Sequence, residues 1–458
     1  MKTQSPSPSK TPDRAAPDAA APPELGLDAR RAAMVVVDQA LAKRGGFEQA
    51  LNEPPFSRLA GSDRAFARHL ASSTLRGLGA IDHLLDKKLA SPPPPAIRSV
   101  LRLGAAQILF GLAPAFAAVS TSLALVEGQV SLARFKGLIN AVLRGLDREG
   151  GAGLLDALDP ETFAPSWLVA RWRAHYGIDR ARGLCAAIRL APPTDLTPRD
   201  PTAAAAIAAD LDGVVLPTGS VRTHRRGEVK DWPGYLEGGW WVQDVAAALP
   251  ARLLQLQPGE TALDMCAAPG GKTLQMAAAG AAVTAADRSA KRLRRVQDNL
   301  DRAHLTAQLV TADGETWSFD TEFDAVLLDA PCSSTGTFRR HPDVLWVTRP
   351  GDISALAEVQ ARLLDGAARA VRPGGRLVYS VCSLEPEEGE HQVADFLLRR
   401  PDFVRAAIDA KAFALAPEAV SAMGEVRLTP ILSESPPGGQ DGFFAARLIR
   451  QTSAPAAP

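Results

Sequence analysis

From Trp240 onward, short apolar segments alternate with helical segments, and this alternation is the strongest constraint on how the chain can fold. Such a rhythm is typical of a doubly wound parallel sheet with helices on both faces. The predicted strands cover residues 261–264, 281–287, 307–311, 325–329 and 376–381. Ligands of such sheets bind at the carboxyl ends of the strands, so candidate functional residues are sought there.

A glycine-rich loop, DMCAAPGGKT (264–273), follows the first of these strands and opens a helix. A dinucleotide fold would need G-x-G-x-x-G, which is absent. A phosphate-binding loop would need G-x-x-x-x-G-K-[ST], and Cys266 stands where its first glycine belongs. The segment VLLD (326–329) resembles the acidic strand of such an ATPase, so an ATP-binding enzyme remains an alternative.

Two acidic residues favour a third interpretation, a loop that binds S-adenosylmethionine. Asp287 ends the second predicted strand, where a doubly wound fold holds ribose hydroxyls. Asp313 ends the third strand region and is placed to contact an adenine edge. An ATPase needs neither carboxylate, so their positions favour the methyl donor.

Two cysteines follow later strands, in DAPCSS (329–334) and in VCS (381–383). A free cysteine is usually a small buried hydrophobe. Two at strand ends beside a cofactor loop favour chemistry instead, so Cys332 and Cys382 are expected to face one ligand. Addition of a thiolate to carbon 6 of cytosine makes carbon 5 nucleophilic, and a second acid–base group must then help remove the carbon 5 proton. Asp329 is placed to hydrogen-bond the cytosine edge.

The front of the chain has a helical pattern without strand-like alternation, which predicts a bundle of about six helices. The uncharged stretch 103–126 is long enough to span a bilayer, but Pro114 near its middle favours two buried helices. The predicted organisation is a disordered tail (1–24), a helical domain (25–150), linker helices with a small α/β module of unassigned topology (151–234), a doubly wound domain (235–450) and a second disordered tail (451–458).

Composition excludes several classes of protein. Lys plus Arg and Asp plus Glu both total 51, so any contact with RNA or DNA must come from local basic patches rather than a basic coat. The four cysteines lack C-x-x-C spacing, which argues against a disulfide framework or zinc ribbon, and no metal is predicted. The N-terminus has no apolar core typical of a secretory signal, so a soluble cytoplasmic protein is expected.

These motifs resemble the RNA 5-methylcytosine methyltransferase family, in particular its bacterial small-subunit ribosomal RNA methyltransferase B (Sun) group. The resemblance covers about residues 29–450, and residues 29–148 resemble the NusB RNA-binding fold at the front of this group. It implies a helical NusB-like domain followed by a Rossmann-like S-adenosylmethionine-dependent methyltransferase domain. The densest matches are DMCAAPGGKT (264–273), DAPCSSTGT (329–337), RRHPD (339–343), YSVCS (379–383) and DGFFAARL (441–448).

The resemblance implies methylation of cytosine carbon 5 in 16S ribosomal RNA, at cytosine 967 in the resembled group. Cys382 would then be the nucleophile and Cys332 would assist release of the product. The implied S-adenosylmethionine site consists of Cys266, Ala267, Ala268, Pro269, Gly270, Gly271, Lys272, Asp287, Asp313 and Asp329. Two departures stand out, because Val381 replaces a common threonine and DLTP (195–198) replaces a Leu-Arg-Val-Asn motif.

Basic residues suggest where RNA binds. Arg339 and Arg340 follow the catalytic loop and are predicted to grip phosphates, and Arg225 and Arg226 form a second basic cluster. The expected partner is small-subunit ribosomal RNA, bound by a monomer. A NusB-type RNA-binding assembly factor with an idle catalytic domain remains the second alternative.

Overall fold

A computed structural model describes residues 26–42, 46–319 and 321–452 of the chain. The predicted tails, 1–24 and 451–458, lie outside the described residues except for residues 451 and 452. Within the described residues, no helix is long and apolar enough to cross a membrane.

The front of the chain is helical, as predicted, and six of its helices have nine or more residues. Pro114 separates two of these helices within the uncharged stretch 103–126, as expected. Side chains from these helices form one apolar core, with Val36 and Leu143 at its centre. The helices are α1 (Leu27–Ala42), α2 (Gly46–Ala50), α3 (Gly61–Arg76), α4 (Leu78–Asp86), α5 (Pro95–Leu109), α6 (Ala115–Leu125), α7 (Val130–Ala133) and α8 (Lys136–Arg148).

Linker helices lead into a small four-stranded antiparallel sheet with the strand order β2-β3-β1-β4. The last strand of this sheet lies beyond the boundary predicted between residues 234 and 235, because Trp241 pairs with Thr197. The small module therefore extends further than its sequence pattern indicates. The elements are α9 (Gly153–Asp156), α10 (Ser166–Tyr176), α11 (Ile178–Ile188), β1 (Thr194–Pro198), α12 (Ala204–Asp210), β2 (Val214–Val215), β3 (Val221–Thr223) and β4 (Trp240–Val242).

The rest of the chain forms an eight-stranded sheet covered by helices. Its elements are α13 (Leu249–Leu253), β5 (Thr261–Met265), α14 (Gly271–Ala278), β6 (Ala282–Asp287), α15 (Ala290–Ala303), β7 (Gln308–Thr311), β8 (Phe323–Asp329), α16 (Val344–Val347), α17 (Pro350–Ala370), β9 (Val371–Val381), α18 (Glu390–Arg399), β10 (Phe403–Arg405), β11 (Val426–Leu428) and β12 (Phe443–Arg450). All five predicted strands are present, as β5 to β9.

The sheet is mixed rather than wholly parallel, which corrects the sequence-based prediction. Strands β9, β8, β5, β6 and β7 are parallel neighbours in that order. Strand β12 runs antiparallel to β9, with Phe444 opposite Val381, and also pairs with β10 and β11. Antiparallel strands need no crossover helix, so the alternation of strands and helices that indicated β5 to β9 carried no signal for β12.

The helical domain packs directly on the segment 339–343, which follows β8 and the Cys332 loop. Arg76 of α3 donates a hydrogen bond of 2.8 Å to the carbonyl of Arg339. The backbone N–H of Phe47 in α2 donates to Asp343 at 3.0 Å. The contacts place the helical domain next to the carboxyl edge of the sheet.

Helices α5, α6 and α8 pack closely at Gly104 in α5. A Cβ atom at Gly104 would lie 2.6 Å from both Leu143 Cδ1 and Ser122 Oγ. We expect Gly104→Ala to destabilise the helical domain by about 1–3 kcal/mol, because overpacking forces the neighbouring helices apart. Urea unfolding followed by hydrogen exchange of the α5 and α8 amides measures this change.

The matched control is Gly137→Ala in α8, where a Cβ atom meets nothing within 4 Å. Alanine in a helix is about 0.5–1 kcal/mol more favourable than glycine, so this variant should be unchanged or slightly stabilised. Equal unfolding midpoints for the two variants would contradict the packing argument.

Candidate active site

Two cysteine side chains meet at the carboxyl edge of the sheet. Cys332 lies just beyond β8 and Cys382 directly follows β9. Their Sγ atoms are 3.4 Å apart, and Ser334 Oγ lies 3.5 Å from Cys382 Sγ. Because β8 and β9 are parallel neighbours, their carboxyl ends deliver both thiols to the same cavity.

The thiols differ in their electrostatic environments. The contact with Cys382, and then burial, raises the pKa of the Cys332 thiol well above its ordinary value. Cys332 is therefore protonated at neutral pH and can donate its S–H to the sulfur of Cys382. Burial also raises the pKa of Cys266, to about 12, so this third thiol of the site is neutral.

Asp329 is anchored on two sides. Lys272 Nζ lies 2.7 Å from Asp329 Oδ2, and Ser380 Oγ donates to Asp329 Oδ1 at 2.8 Å. Burial lowers the pKa of Lys272, but the Asp329 carboxylate outweighs burial and leaves this pKa above its ordinary value. An ionised carboxylate has about four acceptor sites, so Asp329 is held firmly and keeps acceptor capacity for a ligand.

The glycine-rich loop contains a left-handed backbone conformation at Gly270, which glycine adopts without strain. Gly270 has a φ of +109°, and a Cβ atom there would lie 3.2 Å from Val296 of α15. Glycine therefore allows the loop to pass close to α15 before α14 begins at Gly271. Thr273 of α14 donates a 2.6 Å hydrogen bond to Asp264, whose pKa burial raises to about 7.

A cavity of about 340 Å³ lies between this loop and the cysteines, and we call it the cofactor cavity. It brings together seven of the predicted site residues: Cys266, Ala268, Asp287, Asp313, Asp329, Cys332 and Cys382. Its other charged lining residues are Arg288, Arg292 and Glu315. Asp287 ends β6, accepts a hydrogen bond from the Ser289 N–H at 2.9 Å and pairs with Arg292 at 3.0 Å.

A second cavity of about 480 Å³ lies next to the first, and we call it the linker cavity. Four further predicted cofactor residues, Ala267, Pro269, Gly271 and Lys272, line the linker cavity. Cys266, Ala268 and Asp329 line both cavities. Gly270 packs against α15 and lines neither cavity.

The prediction that Arg339 grips RNA phosphates is wrong for this conformation, because its side chain is only 1% exposed. Its guanidinium donates to the carbonyls of Gly438 and Gln440. Arg340 is also engaged within the protein, between Asp244 at 2.6 Å and Asp441 at 3.2 Å. Both arginines therefore form contacts within the protein, and Arg340 also lines the linker cavity.

Arg225 and Arg226 are exposed, as an RNA-binding role requires. They follow β3 in the small module. Two residues further along, Glu228 pairs with Arg64 of α3 at 3.7 Å, so this segment of the small module lies beside the helical domain. These two arginines lie where a strand of RNA could touch both domains.

Sequence reasoning missed several residues of the site. Ser334 lies within hydrogen-bond distance of the Cys382 thiol, Ser380 anchors Asp329, and the buried carboxylate of Glu388 contacts both cysteine loops. Ser334 and Ser380 stand inside the quoted motifs and could have been proposed from them. Glu388 belongs to the run EPEEGE (385–390), where nothing in the pattern shows which carboxylate points inward.

Known proteins resemble this chain over most of its length. A family model described as 16S rRNA methyltransferase RsmB/F matches residues 251–449, and a NusB family model matches residues 27–148. The ribosomal RNA small subunit methyltransferase B of Klebsiella pneumoniae subsp. pneumoniae is 35% identical over 446 residues, which cover 93% of this chain and 99% of that protein. The protein of the same name from Sodalis glossinidius is 37% identical over 455 residues, covering 94% and 98%.

A solved structure shares the fold over most of the chain. The crystal structure of PH0851 matches with a TM-score of 0.74 at 22% sequence identity, covering 92% of this chain and 98% of that one. The fold class predicted from the sequence is confirmed, with the sheet corrected from parallel to mixed.

The effect of Cys382 on Cys332 can be measured by alkylation. We expect Cys382→Ala to shift the pH midpoint of Cys332 alkylation by iodoacetamide to lower pH, because the largest cause of its raised pKa is removed. Peptide mapping by mass spectrometry across a pH series gives the midpoint for each thiol. Cys185 is the internal control, since burial is the largest cause of its raised pKa of about 12 and it lies in the helical core, away from Cys382. An unchanged Cys332 midpoint would show that the sulfur–sulfur contact does not control its ionisation.

Proposed function

Because the chain belongs to the RsmB/F family of 16S rRNA methyltransferases, we propose that it methylates carbon 5 of a cytosine in 16S ribosomal RNA. The observation that carries this proposal is the pair of thiols 3.4 Å apart beside an anchored carboxylate. Methylation at a ring nitrogen or an exocyclic amine needs no thiol, whereas carbon 5 of cytosine needs covalent activation at carbon 6. The proposed target is cytosine 967, as in the resembled group.

In this proposal S-adenosylmethionine occupies the cofactor cavity and supplies the methyl group. The cavity fits such a ligand in size, since about 340 Å³ lies within the range of small-molecule sites. It also fits in charge, because its four carboxylates, Asp287, Asp313, Glu315 and Asp329, outnumber its two arginines, and the ligand carries a sulfonium and an ammonium group. Asp287 at the end of β6 would hold the ribose hydroxyls, and Asp313 would contact the adenine.

Cys382 is the proposed nucleophile. Its thiolate adds to carbon 6 of the flipped cytosine, and the electron pair moves to carbon 5, which becomes nucleophilic. Asp329, held in place by Lys272 and Ser380, accepts a hydrogen bond from the cytosine amino group and so orients the ring. The ring is thereby fixed with carbon 6 at Cys382.

Cys332 is proposed to complete the reaction. While Cys382 is free, the contact between the sulfurs keeps the pKa of Cys332 high. Once Cys382 is bonded to carbon 6, its sulfur is a thioether and a weaker hydrogen-bond acceptor, so the contact that is the largest cause of the raised pKa of Cys332 weakens. Cys332 then loses its proton to solvent more easily, and the resulting thiolate can take the carbon 5 proton. The bond between carbon 6 and Cys382 breaks, which frees the methylated base and restores the Cys382 thiolate.

We expect a covalent adduct on 16S ribosomal RNA that carries 5-fluorocytosine, in the presence of S-adenosylmethionine. Fluorine on carbon 5 cannot leave as a proton, so the bond to the enzyme survives denaturation. Peptide mapping should place the adduct on Cys382. Free RNA and assembling small-subunit particles are tested in parallel, with Cys185→Ala as the matched thiol control.

The variants separate the roles of the two thiols. Cys382→Ala should form no adduct and lose at least about a thousandfold in methylation rate, as expected for loss of a nucleophile. Cys332→Ala should retain an adduct on unmodified RNA, because product release fails. An adduct at Cys332 would reverse the assignment. Bound cofactor without any adduct on either substrate would refute the carbon 5 mechanism.

Arg225 and Arg226 are the proposed RNA-contacting residues of the small module. Replacing either with alanine should weaken RNA binding and lower the slope of log affinity against log salt by about 1, because one phosphate contact is lost. Filter binding across a salt series measures both quantities. Arg399→Ala, at an exposed arginine of α18, is the control and should leave the slope unchanged. Equal slopes for all three variants would remove Arg225 and Arg226 from the interface.

A further inference from the structure

Glu388 is a buried carboxylate without a cationic partner among the described residues. Its side chain is 0% exposed. It lies between β9 and α18, in the turn that follows the Cys382 loop. Burying a carboxylate without a cation is costly, so hydrogen bonds must stabilise it.

The donors around Glu388 come from both cysteine loops. Ser333, the residue after Cys332, donates its N–H to Glu388 Oε1 at 2.8 Å and its hydroxyl to Oε2. Ser383, the residue after Cys382, donates its hydroxyl to the same Oε2 atom. One carboxylate therefore connects the residues that follow each thiol.

Gln360 of α17 extends this connection to the other side of Cys332. Its amide group donates to Glu388 Oε1 at 3.1 Å and to the carbonyl of Pro331 at 2.9 Å. Pro331 and Ser333, the two neighbours of Cys332, are thus both tied to one buried network. The hydroxyl oxygens of Ser333 and Ser383 lie 3.1 Å apart. This separation is similar to the 3.4 Å between the sulfurs of Cys332 and Cys382, which line the cofactor cavity.

We propose that Glu388 is the positioning residue of the thiol pair, which holds the Cys332 and Cys382 loops side by side so that both sulfurs face one substrate carbon–carbon bond. The catalytic part of this inference rests on the proposed function; the geometric part does not. Among the described residues, Glu388 is the one carboxylate that accepts hydrogen bonds from both Ser333 and Ser383. Its alignment of the thiols matters because displacement of a reacting group by about 1 Å lowers the rate on the order of a hundredfold.

The substitution series separates geometry from charge. Glu388→Gln keeps an oxygen that can accept from the Ser333 N–H and Gln360, and its amide can donate to the two hydroxyls. Glu388→Ala removes the connection. Glu385→Ala is the matched control, because Glu385 is also buried in the turn after Cys382 but accepts from Arg171 and Trp172 instead.

Phenylarsine oxide measures the geometry without any methylation. Its arsenic binds two neighbouring thiols and releases one water molecule, so its bridge across Cys332 and Cys382 reports whether the sulfurs are held together. We expect bridging in the parent protein, Glu388→Gln and Glu385→Ala, and at least about a tenfold loss of bridging in Glu388→Ala. Peptide mapping identifies the bridged pair and excludes Cys266.

Methylation kinetics supply the second measurement. We expect Glu388→Ala to lower kcat by about 10–100-fold, with the KM values for RNA and cofactor within about twofold, because only the alignment of the thiols changes. Glu388→Gln should restore most of kcat. If Glu388→Ala fails to fold, Ser383→Ala releases the Cys382 loop alone and should lower bridging and kcat by a smaller factor.

The outcomes are distinct. Unchanged bridging in Glu388→Ala, or an equal loss in Glu385→Ala, would overturn the proposal. Loss of bridging in Glu388→Ala with no carbon 5 methylation by the parent protein would support the geometric role and refute the proposed function instead.

Discussion

The parallel pairing of β8 and β9 is the constraint on which the candidate site depends. This pairing sets Asp329 opposite Ser380, and their side chains share a hydrogen bond of 2.8 Å. Cys332 follows Asp329 by three residues, and Cys382 follows Ser380 by two. Both thiols therefore lie at the same edge of the sheet. A shift in register would separate the thiols and also break the contact that anchors Asp329.

A buried network of charged side chains connects the small module to the large sheet near the candidate site. Arg340 lies between Asp244, which follows the small sheet, and Asp441, which precedes β12. Burial, followed by the charge of Asp244, raises the pKa of Asp441 to about 7 even with Arg340 in contact. A buried network of this kind is costly to break, because each lost partner leaves another charge uncompensated. It therefore gives the linker cavity a fixed shape.

The sequence predicted the elements that carry periodic or motif signals. Strands β5 to β9, the helical character of the front domain and the break at Pro114 were all foreseen. The antiparallel strand β12 was missed although its residues were quoted as a motif, because pairing direction leaves no local pattern. Arg339 was predicted to be exposed but is buried, and here too the sequence carries no local signal. The sequence around an arginine is the same whether its side chain binds an RNA phosphate or a carbonyl of the protein. Arg339 binds the carbonyls of Gly438 and Gln440.

The segment from Ser333 to Asp343 links catalysis to the front domain. At one end Ser333 is held by Glu388, and at the other Asp343 accepts a hydrogen bond from Phe47 of α2. Between them the Arg339 carbonyl accepts from Arg76 of α3. The helical domain therefore contacts the segment after Cys332 directly, at the Arg339 carbonyl and at the Asp343 side chain. Two hydrogen bonds thus join α2 and α3 to the segment that follows Cys332, so the packing of the front domain helps to fix the position of this segment.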